Sequence, residues 1–225
     1  MMERSKKAVL LGATGLVGKQ LLSILLESKD YDEVTVLTRR PLPAHPKLQK
    51  VELADFDAMP SCSEVFHNAS DIFCCLGTTI KTAGSREIFR KVDYDYPLLA
   101  AQLAKKAGAQ RFIIITAMGA DPASKVFYNR VKGEIETSIR TLGLPSVSII
   151  RPSLLLGDRS QFRMGERAAS LLIKPLMFIF TGKLYKYKPI KDRDVAAVMH
   201  RIAQMYIPGT SVYENDQLHR MANSA

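Results

Sequence analysis

The fold is decided by the stretch Ala8-Val9-Leu10-Leu11-Gly12-Ala13-Thr14-Gly15-Leu16-Val17-Gly18. It joins an apolar, strand-like run to three evenly spaced glycines, and an amphipathic helical segment follows. Strand, glycine turn and helix in this order are the context of a dinucleotide fingerprint. Gly12 is expected to form the tight turn, Gly15 to let the backbone approach a pyrophosphate, and Gly18 to let the helix pack on the sheet. The spacing G-x-x-G-x-x-G differs from the common G-x-G-x-x-G.

Strand-like and helix-like segments alternate along most of the chain. Apolar runs predict strands at residues 8–11, 33–38, 48–53, 71–76, 111–116 and 146–150. Helical periodicity predicts helices at residues 16–28, 85–107 and 125–142, with a kink at Pro97. Continuous apolar strands between helices indicate a parallel sheet that is buried on both faces. The predicted fold class is α/β, a Rossmann-like doubly wound parallel sheet with helices on both faces and its ligand at the carboxyl ends of the strands.

The alternation stops after Arg151-Pro152. Residues 153–191 are richer in Pro, Gly and basic residues, which predicts a small C-terminal cap on the substrate side. We expect residues 1–225 to form a single NAD(P)-binding domain that includes this cap. Residues 171–188 combine an apolar run with lysines, which suits an ordinary packed helix, a substrate lid or subunit contact, or a membrane-surface patch.

Composition restricts the partners and the location. The hydrophobic fraction of 47% is ample for a core. The net charge of +10 comes from dispersed Lys and Arg, which favours a polyanionic small ligand and argues against nucleic acid. Three cysteines form no disulfide framework, which predicts a reducing, cytoplasmic location. The histidines are far apart in sequence, so no metal is expected.

The end of the predicted second strand indicates which nicotinamide cofactor is preferred. In NAD-binding sites an acidic residue there binds the ribose 2′-hydroxyl. Here Arg39 and Arg40 follow Thr38, and the acid is missing. Guanidinium groups suit a 2′-phosphate because they form bidentate, charge-assisted hydrogen bonds. We therefore predict that NADP(H) is preferred over NAD(H); a solvated arginine pair is the alternative.

Tyr128 and Lys132 are four residues apart and are predicted to share one face of a helix. Free tyrosine is a poor acid or base near neutral pH, and a neighbouring ammonium stabilises the tyrosinate. Such a tyrosine can protonate a carbonyl oxygen as a hydride arrives. Tyr187 and Lys191 have the same spacing, but Pro189 between them argues against a helix.

A third polar group is expected to orient the substrate carbonyl. Thr116, at the end of the predicted fifth strand and twelve residues before Tyr128, is the first candidate. Ser124 is a weaker candidate, because a serine near the start of a helix more often caps that helix.

Five further motifs extend the pattern across the chain. They are Cys74-Cys75-Leu76-Gly77-Thr78-Thr79, Val92-Asp93-Tyr94-Asp95-Tyr96, Gly119-Ala120-Asp121, Tyr128-Asn129-Arg130-Val131-Lys132-Gly133-Glu134 and Arg151-Pro152-Ser153. With the glycine turn, this combination resembles atypical short-chain dehydrogenases/reductases. It is more closely similar to the Tat-interactive-protein oxidoreductase subfamily and its bacterial relatives, over about residues 7–200.

The resemblance implies roles for individual residues. Tyr128 is the acid/base, Lys132 is its partner and a ribose ligand, and Thr116 takes the Ser/Thr role. Residues 76–78 line the ribose and pyrophosphate, residues 55–56 flank adenine, and residues 152–155 border nicotinamide. The expected cofactor-binding set is Gly12, Thr14, Gly15, Leu16, Val17, Gly18, Arg39, Arg40, Asp55, Phe56, Leu76, Gly77, Thr78, Tyr128, Lys132, Pro152, Ser153, Leu154 and Leu155.

Two positions depart from the wider superfamily. Asp93 stands where asparagine is frequent, and Thr116 stands where serine is usual. The threonine keeps the hydroxyl, whereas Asp93 weakens the case for a four-residue proton relay.

The predicted function is NADP(H)-dependent reduction of a carbonyl in an unidentified small molecule by an enzyme of the short-chain type. The alternatives are a non-catalytic NADP(H)-binding regulatory protein and a membrane-peripheral protein that handles lipids or quinones. The expected partners are the small-molecule substrate and, weakly, a membrane surface. The chain is expected to be a monomer or a homodimer.

Overall fold

Apolar runs of the sequence form a parallel sheet. The computed structural model describes residues 6–157 and 180–224. The strands are β1 (Lys7–Leu11), β2 (Glu33–Thr38), β3 (Leu48–Glu52), β4 (Asp71–Cys74), β5 (Arg111–Ile115), β6 (Ser146–Arg151), β7 (Leu155–Leu156), β8 (Ile190–Lys191) and β9 (Gly209–Glu214). Within the described ranges, seven of them form one parallel sheet in the order β3-β2-β1-β4-β5-β6-β9, and β7 pairs separately with β8.

Helices connect the strands. The α-helices are α1 (Leu16–Glu27), α2 (Ile80–Ala83), α3 (Arg86–Arg90), α4 (Tyr96–Lys106), α5 (Phe127–Thr141), α6 (Asp192–Ala203) and α7 (Asn215–Asn223). In the part of the chain that the structure describes, two 3-10 helices span Phe56–Phe66 and Gly182–Tyr187, and a π turn at Lys91–Asp95 joins α3 to α4.

The core lies on both faces of the sheet, because successive strand residues point to opposite sides. Leu10 and Ile113 pack with α1 and α6 on one face. Leu11 and Ile114 pack with α4, α5 and the first 3-10 helix on the other face. The predicted Rossmann-like fold, with a buried parallel sheet and helices on both faces, is confirmed.

The strand order reverses direction beside β1. From β1 the chain builds outward through β2 and β3, and it then returns to place β4 on the opposite side of β1. In open α/β sheets a crevice forms at such a switch point, outside the carboxyl ends of the strands. The turn after β1 and the loop after β4 therefore meet at this crevice.

The structure changes some predicted boundaries. β4 ends at Cys74, two residues before its predicted end. The predicted helix 85–107 is divided by the π turn Lys91–Asp95, which comes just before Pro97. Pro97 has no N–H with which to continue the α-helical ladder, so the chain widens there. Residues 158–179 of the predicted cap lie outside the described residues, and the division into one domain with a cap stays a prediction.

A buried carboxylate ties together the amino ends of the strands. Asp71 at the start of β4 is fully buried. It accepts a hydrogen bond of 2.6 Å from the Tyr31 hydroxyl and pairs with Arg111 at the start of β5. Burial and the neighbouring Asp71 carboxylate raise the pKa of Tyr31, so its hydroxyl keeps the proton that it donates.

We expect Tyr31→Phe to lower the free energy of unfolding by about 1.5–3 kcal/mol, because a hydrogen bond to a buried charge is lost. Urea unfolding at neutral pH measures this change. Tyr206→Phe is the matched control, since Tyr206 is exposed. Equal unfolding midpoints for the two variants would contradict the assignment.

Candidate functional site

The glycine turn after β1 is built from backbone contacts that exclude side chains. Gly12 has a φ of +83°, and a Cβ there would lie 2.5 Å from the carbonyl oxygen of Cys75. A Cβ on Gly18 would overlap the carbonyl oxygen of Gly12. Gly12 therefore allows a tight turn that a side chain would block, and Gly18 lets α1 pack against that turn.

The start of α1 faces the crevice with its backbone. Gly15 is the N-cap residue and, within the described residues, no side chain caps the helix. Thr14 and Gly15 are exposed, Leu16 is half-buried and Val17 is in the core. The first turn of α1 contains no acidic residue, so its N–H groups and the helix dipole favour an anion. This cradle fits the pyrophosphate of a dinucleotide.

The carboxyl ends of β2 and β3 bring Arg39, Asp55 and Phe56 together. The guanidinium of Arg39 lies 5.5 Å from the centroid of the buried Phe56 ring. Asp55 caps the 3-10 helix and accepts a hydrogen bond from the Tyr96 hydroxyl. That hydrogen bond holds the pKa of Asp55 below its usual value. Arg40 is exposed, and its backbone N–H donates to the Thr38 hydroxyl at 3.0 Å.

The loop after β4 contacts the helix that carries the tyrosine–lysine pair. The backbone N–H of Thr78 donates to Asp93 Oδ2 at 2.9 Å. Asp93 Oδ1 lies 2.8 Å from Lys132 Nζ, and both side chains are almost completely buried. Gly77 borders this ion pair, since a Cβ there would lie 3.3 Å from Asp93 Oδ1. The neighbouring Leu76 is buried.

Tyr128 and Lys132 lie one turn apart on α5, as predicted. Burial is the largest single effect and disfavours the Lys132 ammonium, but the Asp93 carboxylate, with smaller contributions from Tyr128 and Cys74, raises the pKa of Lys132 above its usual value. Tyr128 is half-buried, and its ring packs 5.5 Å from that of Phe89. Gly133 lets α5 approach the preceding loop, because a Cβ there would overlap the backbone of Asp121.

The Thr116 hydroxyl binds Glu136, and Thr116 is not among the described residues that line the cavity beside Tyr128. Its hydroxyl is buried and donates to Glu136 at 2.6 Å. Glu136 also pairs with Arg151 at 2.5 Å, and Arg151 reaches Glu214 at 2.8 Å. The next residue, Ala117, lines the cavity beside Tyr128 in place of Thr116. The bond to Glu136 holds the threonine hydroxyl against α5, and Ala117, after the end of β5, borders the cavity.

A cavity of about 380 Å³ opens beside Tyr128. Its described lining is Ala117, Met118, Tyr128, Pro152, Ser153, Leu154 and Leu155. The segment predicted to border nicotinamide therefore lies next to the predicted acid/base. Tyr187 and Lys191 do not form a second helical pair, because Tyr187 ends a 3-10 helix and Lys191 lies in β8.

Two residues that organise the site were missed in the sequence. Asn215 is fully buried and accepts a hydrogen bond from the Ser153 N–H at 3.0 Å. Its amide donates to the carbonyls of Lys186 and Lys188, at 2.9 and 2.8 Å. It thereby holds the two segments of the predicted cap together. Glu136 could have been noticed in the sequence, because it is four residues beyond Lys132 and therefore shares its helix face.

The described residues form neither a metal site nor a membrane-spanning helix. The described residues contain no cluster of three or more His, Cys, Asp or Glu that could bind a metal. Among them, no helix has both the length and the apolar character needed to cross a membrane.

Comparisons with known proteins agree with the fold. The oxidoreductase ylbE from Lactococcus lactis has a similar structure, with a TM-score of 0.67 and 18% identity over 97% of this chain and 95% of that chain. MoeE5 in complex with UDP-glucose and NAD matches with a TM-score of 0.70 and 15% identity, over 97% and 81% of the two chains. At these identities the likeness shows the fold alone.

Sequence relatives correct the predicted location. The mitochondrial protein FMP52 of Debaryomyces hansenii is 34% identical over 199 residues, which is 87% of each chain. The mitochondrial FMP52 of Candida albicans is 32% identical over 96% of this chain and 97% of that protein. These names contradict the cytoplasmic location expected from the cysteines. Unpaired cysteines indicate a reducing environment, but they do not identify the compartment.

The family follows from the extent of the matches. A family model described as NAD(P)H-binding matches residues 12–205. Protein HTATIP2 of Rattus norvegicus, whose name marks the Tat-interactive relatives, is 37% identical over 72% of this chain and 68% of that protein. The chain therefore belongs to the NAD(P)H-binding family, in the atypical short-chain dehydrogenase/reductase-like group of FMP52 and HTATIP2.

Proposed function

We propose that the protein is an NADP(H)-dependent oxidoreductase that reduces the carbonyl of a small molecule, with Tyr128 as the acid/base. The main support for this proposal is that Tyr128 lines a cavity at the carboxyl edge of the sheet. One turn further along the same helix, the Lys132 ammonium is buried beside the loop after β4. A reduced nicotinamide bound along this edge supplies a hydride.

The residues of the chain supply the proton and the charge balance. The Tyr128 hydroxyl donates its proton to the carbonyl oxygen while the carbonyl carbon gains the hydride, which yields an alcohol. The Lys132 ammonium stabilises the negative charge that remains on the tyrosine oxygen. A solvent proton then restores Tyr128.

The described wall of the cavity favours a substrate with an apolar flank. Met118, Pro152, Leu154 and Leu155 present hydrocarbon to the space beside Tyr128. Ser153 lies in the same wall, but its hydroxyl donates to the Lys188 carbonyl at 2.6 Å. Apolar walls bind apolar groups and exclude water from the reacting carbonyl.

Arg39 supports a preference for NADP(H). Its guanidinium lies over the Phe56 ring at the end of β2, where an NAD-binding site would place a carboxylate. A guanidinium held there can form charge-assisted hydrogen bonds with a 2′-phosphate. NADH lacks this phosphate, so the contribution of Arg39 is specific to NADPH.

We expect Tyr128→Phe to abolish turnover while leaving NADPH affinity within about threefold, because the phenyl ring keeps the packing and loses only the proton donor. A panel of apolar aldehydes, ketones and quinones, followed by loss of NADPH absorbance, provides the assay. Tyr187→Phe is the control, since it has the same lysine spacing without a shared helix. Full activity of the Tyr128 variant on any reduced compound would exclude the mechanism.

Arg39→Ala should weaken NADPH binding by roughly 10–100-fold and leave NADH binding nearly unchanged, because a charge-assisted hydrogen bond is worth about 1.5–3 kcal/mol. Fluorescence titration of both cofactors measures the ratio. Arg140→Ala, at the exposed far end of α5, controls for loss of net charge. Equal affinities of the wild type for NADPH and NADH would overturn the preference.

Gly15→Asp should weaken binding of either cofactor by at least tenfold, since it places a carboxylate where the pyrophosphate is expected. Gly15→Asn has nearly the same shape without the charge and should retain more affinity. Both variants add the same Cβ, which would lie 3.2 Å from the Gly12 carbonyl oxygen, so the asparagine variant accounts for that crowding and for the N-cap that both side chains offer. Equal losses of affinity in the two variants would contradict an anion site at this turn.

A second candidate function is a non-catalytic NADP(H)-binding protein. Ala117 in the cavity wall favours it, because the hydroxyl of Thr116 is bound to Glu136. Cofactor binding that Tyr128→Phe leaves unchanged, with no turnover by the wild type on the panel, would favour this candidate. NADPH oxidation that requires Tyr128 would exclude it.

A further inference from the structure

We propose that Asp93 is a positioning residue that keeps the Lys132 ammonium charged and locks the loop at residues 76–78 to α5 before any cofactor binds. The inference rests on the proposed cofactor site but not on turnover. It makes the negative charge of Asp93 the required property, where the wider superfamily often has a neutral asparagine.

The two oxygens of Asp93 bind two different elements. Oδ1 lies 2.8 Å from Lys132 Nζ on α5, and Oδ2 accepts the Thr78 N–H of the loop at 2.9 Å. The carboxylate is fully buried, and the lysine side chain is only 5% exposed. One carboxylate therefore sets the position of both the lysine and the loop.

The backbone around Asp93 is shaped for this contact. Asp93 lies in the π turn Lys91–Asp95, where the extra residue rotates the side chains relative to a regular helix. Directly after Asp93, the Tyr94 hydroxyl bonds to Ser138 at 2.9 Å, and the Tyr96 hydroxyl donates to Asp55. These anchors fix the turn and leave Asp93 facing Lys132.

Charge balance makes the carboxylate necessary. The titratable groups that face Lys132 are Asp93 from the π turn, Tyr128 from α5 and Cys74 from β4. Burial raises the pKa of the Cys74 thiol to about 12, so it is neutral near pH 7. Burial also raises the pKa of Asp93, but the Lys132 ammonium and the Thr78 N–H favour its charged form, so Asp93 is the anion that pairs with Lys132. A buried ammonium that loses its anion is strongly destabilised and tends to lose its proton.

The first test is the pH dependence of stability without cofactor. In the wild type the pKa of Lys132 is raised above its unfolded value, so its stabilisation is complete below about pH 10 and adds no slope between about pH 6 and 9.5. In Asp93→Asn no carboxylate offsets the burial of Lys132. The lysine therefore loses its proton at a lower pH in the folded state than in the unfolded state. The folded variant then binds fewer protons than the unfolded one, and its stability rises with pH.

We expect the folding equilibrium constant of Asp93→Asn, relative to wild type, to rise by up to tenfold per pH unit over that window. Urea unfolding measures it. The double variant Asp93→Asn/Lys132→Met should show no such slope, because nothing remains to titrate. Asp57→Asn is the matched control, since Asp57 and Lys91 form an exposed pair at 2.5 Å. A relative slope of zero in Asp93→Asn would overturn the proposal.

The second test is cofactor affinity. The amide oxygen that Asp93→Asn introduces can still accept the Thr78 N–H, so a purely structural role predicts unchanged NADPH binding in this variant. The proposal predicts at least tenfold weaker binding at pH 9.5, and a smaller loss at pH 6 if the stability slope has levelled off there, because Lys132 is then protonated. Wild-type affinity at both pH values would overturn it.

Folding failure is also informative. If Asp93→Asn does not fold but the double variant does, the unpaired ammonium is the cause and the proposal is supported. If neither folds, the charge of Lys132 is not what Asp93 balances, and the proposal fails. Neither test needs a substrate, so an inactive but NADPH-binding protein would refute the catalytic mechanism alone.

Discussion

The structure depends on the contact between the backbone of Gly12 and the carbonyl of Cys75. This contact joins the ends of β1 and β4 at the switch point of the sheet, where a Cβ would lie 2.5 Å from the carbonyl oxygen. Gly18 extends the same arrangement, because its missing side chain lets α1 rest on the turn. The start of α1 and the loop after β4 are consequently brought to opposite sides of one crevice, and every other site element is placed relative to them.

Two buried ion pairs then hold α5 in place. Lys132 pairs with Asp93 beside the loop after β4. One turn further on, Glu136 pairs with Arg151 and binds the Thr116 hydroxyl, which connects α5 to β5 and β6. Such groups are costly to bury unless they are paired, so both pairs strongly constrain how α5 sits on the sheet. Tyr128 lies at the end of this helix nearest the cavity.

The sheet was predictable because most of its strands are continuous apolar runs. For β2, both predicted boundaries agree with the structure. β9 was missed because Gly209–Glu214 is a half-exposed edge strand with only Val212 and Tyr213 as large apolar residues. α7 was missed with it. Asn215 was missed too, because its hydrogen bonds to distant segments depend on its position directly after β9. The tyrosine–lysine pair was found because helical spacing is local. Its partner Asp93 was noted as unusual in sequence, but no local pattern could pair it with a lysine far along the chain.

By itself, the sequence determined the glycine turn, the alternation of strands and helices, the arginines after β2 and the shared helix face of Tyr128 and Lys132. All of these depend on neighbours within a few residues, where backbone geometry decides the outcome. Only the tertiary structure decided that Thr116 turns to Glu136, that Ala117 lines the cavity and that Asp93 bridges Lys132 and Thr78. Those outcomes follow from which buried charges had to be neutralised by distant partners, and no local pattern in the sequence specifies such partners.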